Sequence, residues 1–202
     1  MIKNIIFDMG NVLRSFSPML CIAPYAKDES DACLIRDEMF SKEEWRSLDS
    51  GDLTYEDAVA RVKLRLPKRL HGVLDEIIAH WHEYMPQDAR MLELVKVLKA
   101  NGYRMYLLSN ASIRFAVYKD TFEALRYFDG TIVSAFHHVL KPDEKIYRIL
   151  FDTFHLDPCE CFFIDDNADN VEGGRRLHMA GHVFTGDMQA LLDDLSANGI
   201  QV

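Results

Sequence analysis

The chain has little of what several protein classes require. No apolar stretch among its 202 residues approaches the ~20 needed to cross a bilayer. Cations are in deficit. Lys and Arg number 23 against 32 Asp and Glu, a net charge of −9, which argues against nucleic acid and membrane as partners. Cysteine is scarce, with only Cys21, Cys33, Cys159 and Cys161. Neither the one-residue gap in the second pair nor the eleven-residue gap in the first matches a zinc pattern, and no disulfide framework is suggested. Reduced thiols in a cytoplasmic monomer are the expectation. No secretory pattern is present, because Met1-Ile2-Lys3 runs straight into a strand-like segment. There is no internal repeat and no low-complexity tract. The chain does have apolar residues, 49% of the total, enough to fill a core. Its length suits one domain, or one with a smaller one inserted.

Four short segments carry the chemistry. They are Ile5-Ile6-Phe7-Asp8-Met9-Gly10-Asn11-Val12, Leu107-Leu108-Ser109-Asn110, Lys141-Pro142, and Phe162-Phe163-Ile164-Asp165-Asp166-Asn167. Three are apolar runs that end abruptly in polar residues, the pattern of buried parallel strands. Ligands of open α/β sheets bind outside the carboxyl ends of the strands. Asp8, Ser109, Asn110, Asp165 and Asp166 should therefore converge, with Lys141 joining from a helix start. A strand-end carboxylate can attack phosphorus to give an acyl phosphate that water then opens. The phosphate dianion repels that carboxylate, so a cation must sit between them. Asp165 and Asp166 supply the second acidic corner, and Mg²⁺ prefers one or two carboxylates plus waters and substrate oxygens. Ser109 and Asn110, followed by Ala111-Ser112, read as an anion-binding helix entry. Lys141 offers a point charge for a phosphate oxygen.

The rest of the chain divides at two places. Residues 15–85 carry apolar residues at helical spacing: Leu34, Met39, Phe40, Trp45 and Leu48, then Ala58, Val59, Val62 and Leu64, then Leu74, Ile77, Ile78, Trp81 and Tyr84. Leu48-Asp49-Ser50-Gly51-Asp52 reads as a helix stop, and Thr54 as a helix start. A right-handed crossover needs only one helix, so the excess predicts an inserted helical cap over 15–85. The remaining residues, 1–14 and 86–202, predict a Rossmann-like α/β core. It has strands at Ile2–Phe7, Tyr103–Leu108, Thr131–Phe136, Cys161–Ile164 and Gly181–Thr185. Asp88 is the expected N-cap of the helix ending at Ala100, and Pro142 is expected at a first helical position. Trp45 and Trp81 read as cap core, Arg14 and Arg46 as cations either over the site or solvated, and His137-His138 as a surface or helix-packing pair. Cys159 and Cys161 read as small buried apolar residues on one side of a strand.

These motifs resemble the haloacid dehalogenase-like hydrolase superfamily, in its branch with a helical cap after the first strand. The Phe-Asp-Met-Gly-Asn-Val and Asp-Asp-Asn-Ala-Asp-Asn forms look most like its bacterial α-glucose-1-phosphate phosphatase-like subgroup. The resemblance implies that Asp8 is the nucleophile and that the Gly10 carbonyl helps bind Mg²⁺. It implies that Ser109, Asn110 and Lys141 hold the phosphate, and that Asp166 and Asp165 complete the metal site. The expected substrate is a small phosphorylated metabolite such as a sugar phosphate.

One departure matters. Most phosphatases of the family carry a second Asp two residues after the nucleophile, which protonates the leaving oxygen. Here that residue is Gly10, and Arg14, Ser15, Phe16 and Ser17 offer no nearby substitute. General acid–base help is worth roughly 10²–10⁴-fold. The expectation is slow turnover, or a preference for esters with acidic leaving groups, of which a sugar 1-phosphate is one. Two other readings compete: a catalytically inactive binding protein, and a 2-haloacid dehalogenase that uses the same Asp on carbon. Asp165 and Asp166 weigh against the dehalogenase, because three close acids without a cation repel one another.

Overall fold

The computed structural model describes residues 1–202. Five parallel strands form one sheet: β1 (Asn4–Phe7), β2 (Arg104–Ser109), β3 (Gly130–Val133), β4 (Cys161–Asp165) and β5 (Ala180–Val183), in the order β3-β2-β1-β4-β5. The sheet is covered on both faces, as strand alternation shows. Ile5, Phe7, Leu107, Phe162 and Ile164 enter one apolar cluster, while Ile6, Tyr106, Leu108 and Phe163 enter the other.

Five helices stand between β1 and the helix that makes the first crossover. They are α1 (Pro18–Ile22), α2 (Glu29–Ile35), α3 (Glu43–Ser50), α4 (Tyr55–Arg65) and α5 (His71–His80); the crossover helix is α6 (Ala89–Ala100). Leu48, Val62, Leu74 and Ile77 from these five share one continuous cluster with Ile5 and Phe7. Leu64, expected on the inner face of α4, is 88% exposed. The chain leaves β1 and returns to α6 through paired segments. Ser15 N–H donates to the Pro86 carbonyl at 2.9 Å, and Asp88 N–H to the Leu13 carbonyl at 3.0 Å.

Local chemistry explains most element ends. The Asp88 carboxylate caps α6 by accepting from the Arg90 and Met91 amides, and Gly102 follows that helix at φ +86°. Thr54 caps α4 by accepting from the Asp57 amide. The second half of the chain adds α7 (Phe115–Tyr118), α8 (Glu144–Phe154), α9 (Ala168–Arg175) and α10 (Met188–Ala197).

Four expectations are corrected. Pro142 is not the first residue of α8; the helix begins two residues later, at Glu144, because Asp143 caps it by accepting from the Lys145 amide. The strand expected over Thr131–Phe136 ends at Val133, where Ser134–Phe136 turn into a 3₁₀ helix. Asn110 does not open a helix directly, since α7 starts only at Phe115. Cys159 is exposed in a 3₁₀ turn before β4, and only Cys161 is buried. No helix is long and apolar enough to cross a membrane.

Candidate active site

Sheet register assembles the site. Phe7 of β1 pairs with Leu107 of β2 on one side and Ile164 of β4 on the other. Asp8 and Asp165-Asp166, which follow Phe7 and Ile164, and Ser109-Asn110, which follow Leu107 after one more residue, therefore emerge at one edge of the sheet. Asp8 is 8% exposed and Asp165 fully buried, while Asp166 is exposed. One oxygen from each of the three carboxylates lies within 4.8 Å of the others. Hard oxygen donors without sulfur or imidazole suit a hard divalent cation, so the cluster fits a metal ion of that kind.

Lys141 is the local cation that an acidic chain must supply. Its Nζ donates to Asp8 Oδ1 at 2.7 Å, to Asp165 Oδ2 at 2.6 Å and to the Leu108 carbonyl at 2.8 Å. The backbone at Lys141 is held by Asn110. The Asn110 amide donates to the Lys141 carbonyl at 3.1 Å, and its oxygen accepts from the Lys141 N–H at 2.8 Å. Burial opposes the charge on Lys141, but Asp8 and Asp165 outweigh burial and hold the ammonium above its ordinary pKa. Burial pushes the Asp8 carboxyl up to about 6, against the pull of Lys141 and with the push of Asp165.

The loop after β4 is built for Asp165. Asn170 Nδ2 donates to both its oxygens at 3.0 and 3.1 Å, and the Asn167 N–H donates at 2.8 Å. Asn11 Nδ2 reaches Asp166 Oδ2 at 3.0 Å, tying the loop after β1 to the loop after β4.

Above this edge lies a cavity of about 190 Å³. Asp8, Gly10, Asn110, Lys141 and Asp166 line it from below; Phe16, from the segment before α1, and Trp45, Asp49 and Trp81, from the helical insertion after β1, line it from above. Ser109 ends β2, is 1% exposed and does not line the cavity, and Asp165 lies beneath it. Trp45 and Trp81 are packed as expected, 5.2 Å apart and edge to face, yet they also form the cavity wall with Phe16, which stacks on Trp45 at 5.8 Å. Arg14 and Arg46 do not line the cavity. Arg14 Nε donates to the Met85 carbonyl at 2.7 Å, and its guanidinium lies over Phe122. His137 and His138 are exposed, and His138 faces Asp52.

Sequence reasoning missed Asn167, Asn170, the aromatic wall and Asp49. One signal for Asp49 was available. It occupies the last turn of α3, where a negative charge opposes the helix dipole and a cation would be favoured.

The comparisons with known proteins agree with this geometry. A sesquiterpene phosphatase from Aspergillus oryzae is 25% identical over 95% of this chain and 94% of its own length. A D-ribitol-5-phosphate phosphatase from Bacteroides thetaiotaomicron is 25% identical over 88% of this chain and 89% of its own. A solved enzyme of the family from the same bacterium, in complex with magnesium and inorganic phosphate, superposes with a TM-score of 0.73. It is 22% identical, over 95% of this chain and 99% of that one. The model of the haloacid dehalogenase-like hydrolases matches residues 2–178. With the acidic edge, the buried lysine and the parallel sheet all in place, the chain belongs to the haloacid dehalogenase-like hydrolase family.

Proposed function

We propose that this enzyme, a haloacid dehalogenase-like phosphatase, hydrolyses a small phosphorylated metabolite through a phosphoryl group carried on Asp8. The observation that supports this most is the contact of Asp8 with Lys141 beside two further acids. Asp8, Asp165, Asp166 and the Gly10 carbonyl would hold Mg²⁺. Bound there, the cation offsets the repulsion between the Asp8 carboxylate and the phosphate dianion. Lys141 adds a fixed positive charge, and Asn110 keeps Lys141 in place. Asn110, which lines the cavity, is the proposed phosphate contact, with Ser109 buried directly behind it as its support, and residues 15–85 are the proposed cap that encloses the substrate. Asp8 attacks phosphorus, the ester oxygen leaves, and water opens the acyl phosphate.

The acids also separate this reading from a dehalogenase. Hydrolysis at carbon needs no metal, and a triple acid cluster there would only repel the substrate carboxylate. For the substrate we favour a sugar phosphate, whose C–H face suits the wall of Phe16, Trp45 and Trp81. A sugar 1-phosphate is the member of that class with the most acidic leaving oxygen. The test is phosphate release from sugar phosphates, phosphoglycolate and nucleotides, with Mg²⁺ and with EDTA. Turnover undiminished by EDTA would sink the metal-dependent mechanism.

A further inference from the structure

The cavity holds three carboxyl groups, and the proposed mechanism uses only two. Asp8 and Asp166 belong to the acidic cluster with Asp165; Asp49 lies outside it. It comes from the far end of α3, on the opposite wall from the sheet edge. It also lines an adjoining cleft of about 360 Å³ with Phe40, Lys42 and Arg46. Trp45, Asp49 and Asn110 are the residues common to the two spaces. A substrate with its phosphate over Asp8 and its organic group in the cleft would pass its ester oxygen beside Asp49.

The fold holds Asp49 in this place at three points. The Ser134 hydroxyl, at the end of β3, donates to the Asp49 carbonyl. The same hydroxyl oxygen accepts from the Ala111 N–H at 2.9 Å, in the loop that carries Asn110. Gly51 then ends α3 at φ +76°, packed so closely that a Cβ would strike the Ala135 carbonyl. An inserted helix is thereby fixed to the ends of β2 and β3.

We propose that Asp49 is the general acid and base of this enzyme, doing from the cap what the acid absent at Gly10 does elsewhere in the family. The assignment rests on the phosphatase reading above. As Asp8 Oδ bonds to phosphorus, the bond from phosphorus to the ester oxygen breaks and its electron pair goes to that oxygen. The oxygen takes the proton of the Asp49 carboxyl and leaves as the alcohol. The Asp49 carboxylate then accepts a proton from the water that attacks phosphorus. The bond from phosphorus to Asp8 breaks with its electron pair returning to Asp8, and inorganic phosphate departs. Asp49 is protonated again.

The electrostatics agree with the role. Burial, then the charge of Asp8, raise the Asp49 carboxyl well above the usual carboxylate range, against one backbone N–H from Ser112. No ion pair draws it down, and a raised pKa is the direction that a proton donor needs. Tyr55 of α4 and Tyr118 of α7 are nearby titratable groups that share its field. Burial pushes the Tyr55 phenol up to about 12 and Tyr118 higher, so both stay neutral.

The test is a leaving-group series at saturating Mg²⁺, from 4-nitrophenyl phosphate to simple alkyl phosphates, read as kcat/KM. In wild type the dependence on leaving-group pKa should be shallow. Asp49→Asn should lose roughly 10²–10⁴-fold on alkyl esters and little on 4-nitrophenyl phosphate, whose leaving group needs no proton. It should also show a burst of 4-nitrophenol, because the second step has lost its base. Asp49→Ser should repeat this selectivity. Gly10→Asp in the Asp49→Asn background should recover the alkyl esters. Space exists for it, since the nearest atom to a Cβ at Gly10 is Asp8 Oδ2 at 3.9 Å. An equal loss on every ester, no loss at all, or no recovery by Gly10→Asp would overturn the assignment. A wild type that releases phosphate from no ester would sink the phosphatase reading itself, and Asp49 with it.

Discussion

Asp165 and Asp49 are two acids in one molecule that the fold treats in opposite ways. Asp165 sits at the sheet edge and is fully buried, yet all its needs are met by Lys141, Asn170 and the Asn167 amide. Asp49 sits on the opposite wall and has no cation at all. The difference follows from how each region is built. Parallel strands in fixed register bring partners to an acid from the loop after β4, from α9 and from the segment before α8. A helix end laid across that edge brings an acid without its partner. The compensated acid is fixed among donors beside the other two carboxylates, whereas burial and the charge of Asp8 raise the pKa of the uncompensated one. In the proposed function the sheet edge serves the phosphate and the wall of inserted helices serves the leaving group.

Removing the proposed nucleophile should separate the two regions most sharply. Asp8→Asn is nearly isosteric but cannot form an acyl phosphate. We expect turnover to fall at least ~10⁴-fold with circular dichroism and melting temperature retained. Full activity in this variant would exclude covalent catalysis by Asp8 and leave the sheet edge without its assigned task.

Weakening the metal cluster comes next. Asp166 is the exposed member, so Asp166→Asn should spare the fold while lowering Mg²⁺ affinity at least ~10-fold, measured by calorimetry and by the Mg²⁺ dependence of rate. An unchanged affinity would move the metal site away from this edge.

The cap wall should behave as a binding surface apart from Asp49. Trp45 packs against Phe40 at 4.5 Å and against Phe16 and Trp81. Trp45→Ala should raise KM about 10-fold and leave kcat nearly unchanged, as expected when binding common to ground and transition states is lost. A fall in kcat alone would mean that the wall positions the reaction rather than the organic group.

The smallest effect belongs to an acid remote from the cavity. Asp129 accepts from Lys99 Nζ at 2.9 Å and from the Met105 amide of β2 at 2.9 Å. Burial works to raise its pKa, but Lys99 and that amide outweigh it and hold it below the ordinary value. The folded chain therefore gives up this proton more readily than the unfolded one. The resulting stability is present above pH ~4 and is lost as pH falls through the lowered pKa. Its side chain is 34% exposed, so Asp129→Asn should cost only about 0.5–1 kcal/mol at pH 7. Urea unfolding of the two proteins should converge as pH falls through the lowered pKa of Asp129. A constant difference across pH would mean that packing, not charge, sets the effect.

Short-range order in the chain determined a large part of this protein. Alternating burial made Ile5-Ile6-Phe7 and Phe162-Phe163-Ile164 strands with both faces covered, so Asp8 and Asp165 had to emerge at one edge. Capping made Asp88 and Thr54 helix starts, because a side-chain oxygen there satisfies amides that no turn of helix can. Pro142 misled for the same local reason. Its preference for a first helical position was outweighed by Asp143, whose carboxylate caps α8 one residue later. What only the tertiary structure decided is the direction in which the inserted helices face. Periodicity marks Trp45 and Trp81 as apolar but does not say that they also wall a cavity. Nothing near Gly10 in sequence replaces the missing acid. Asp49, the proposed replacement, reaches the cavity because Ser134 and the close approach of Gly51 to Ala135 bind the end of α3 to the sheet. The contact joins residues far apart in the chain, and a local pattern carries no information about which of them will meet.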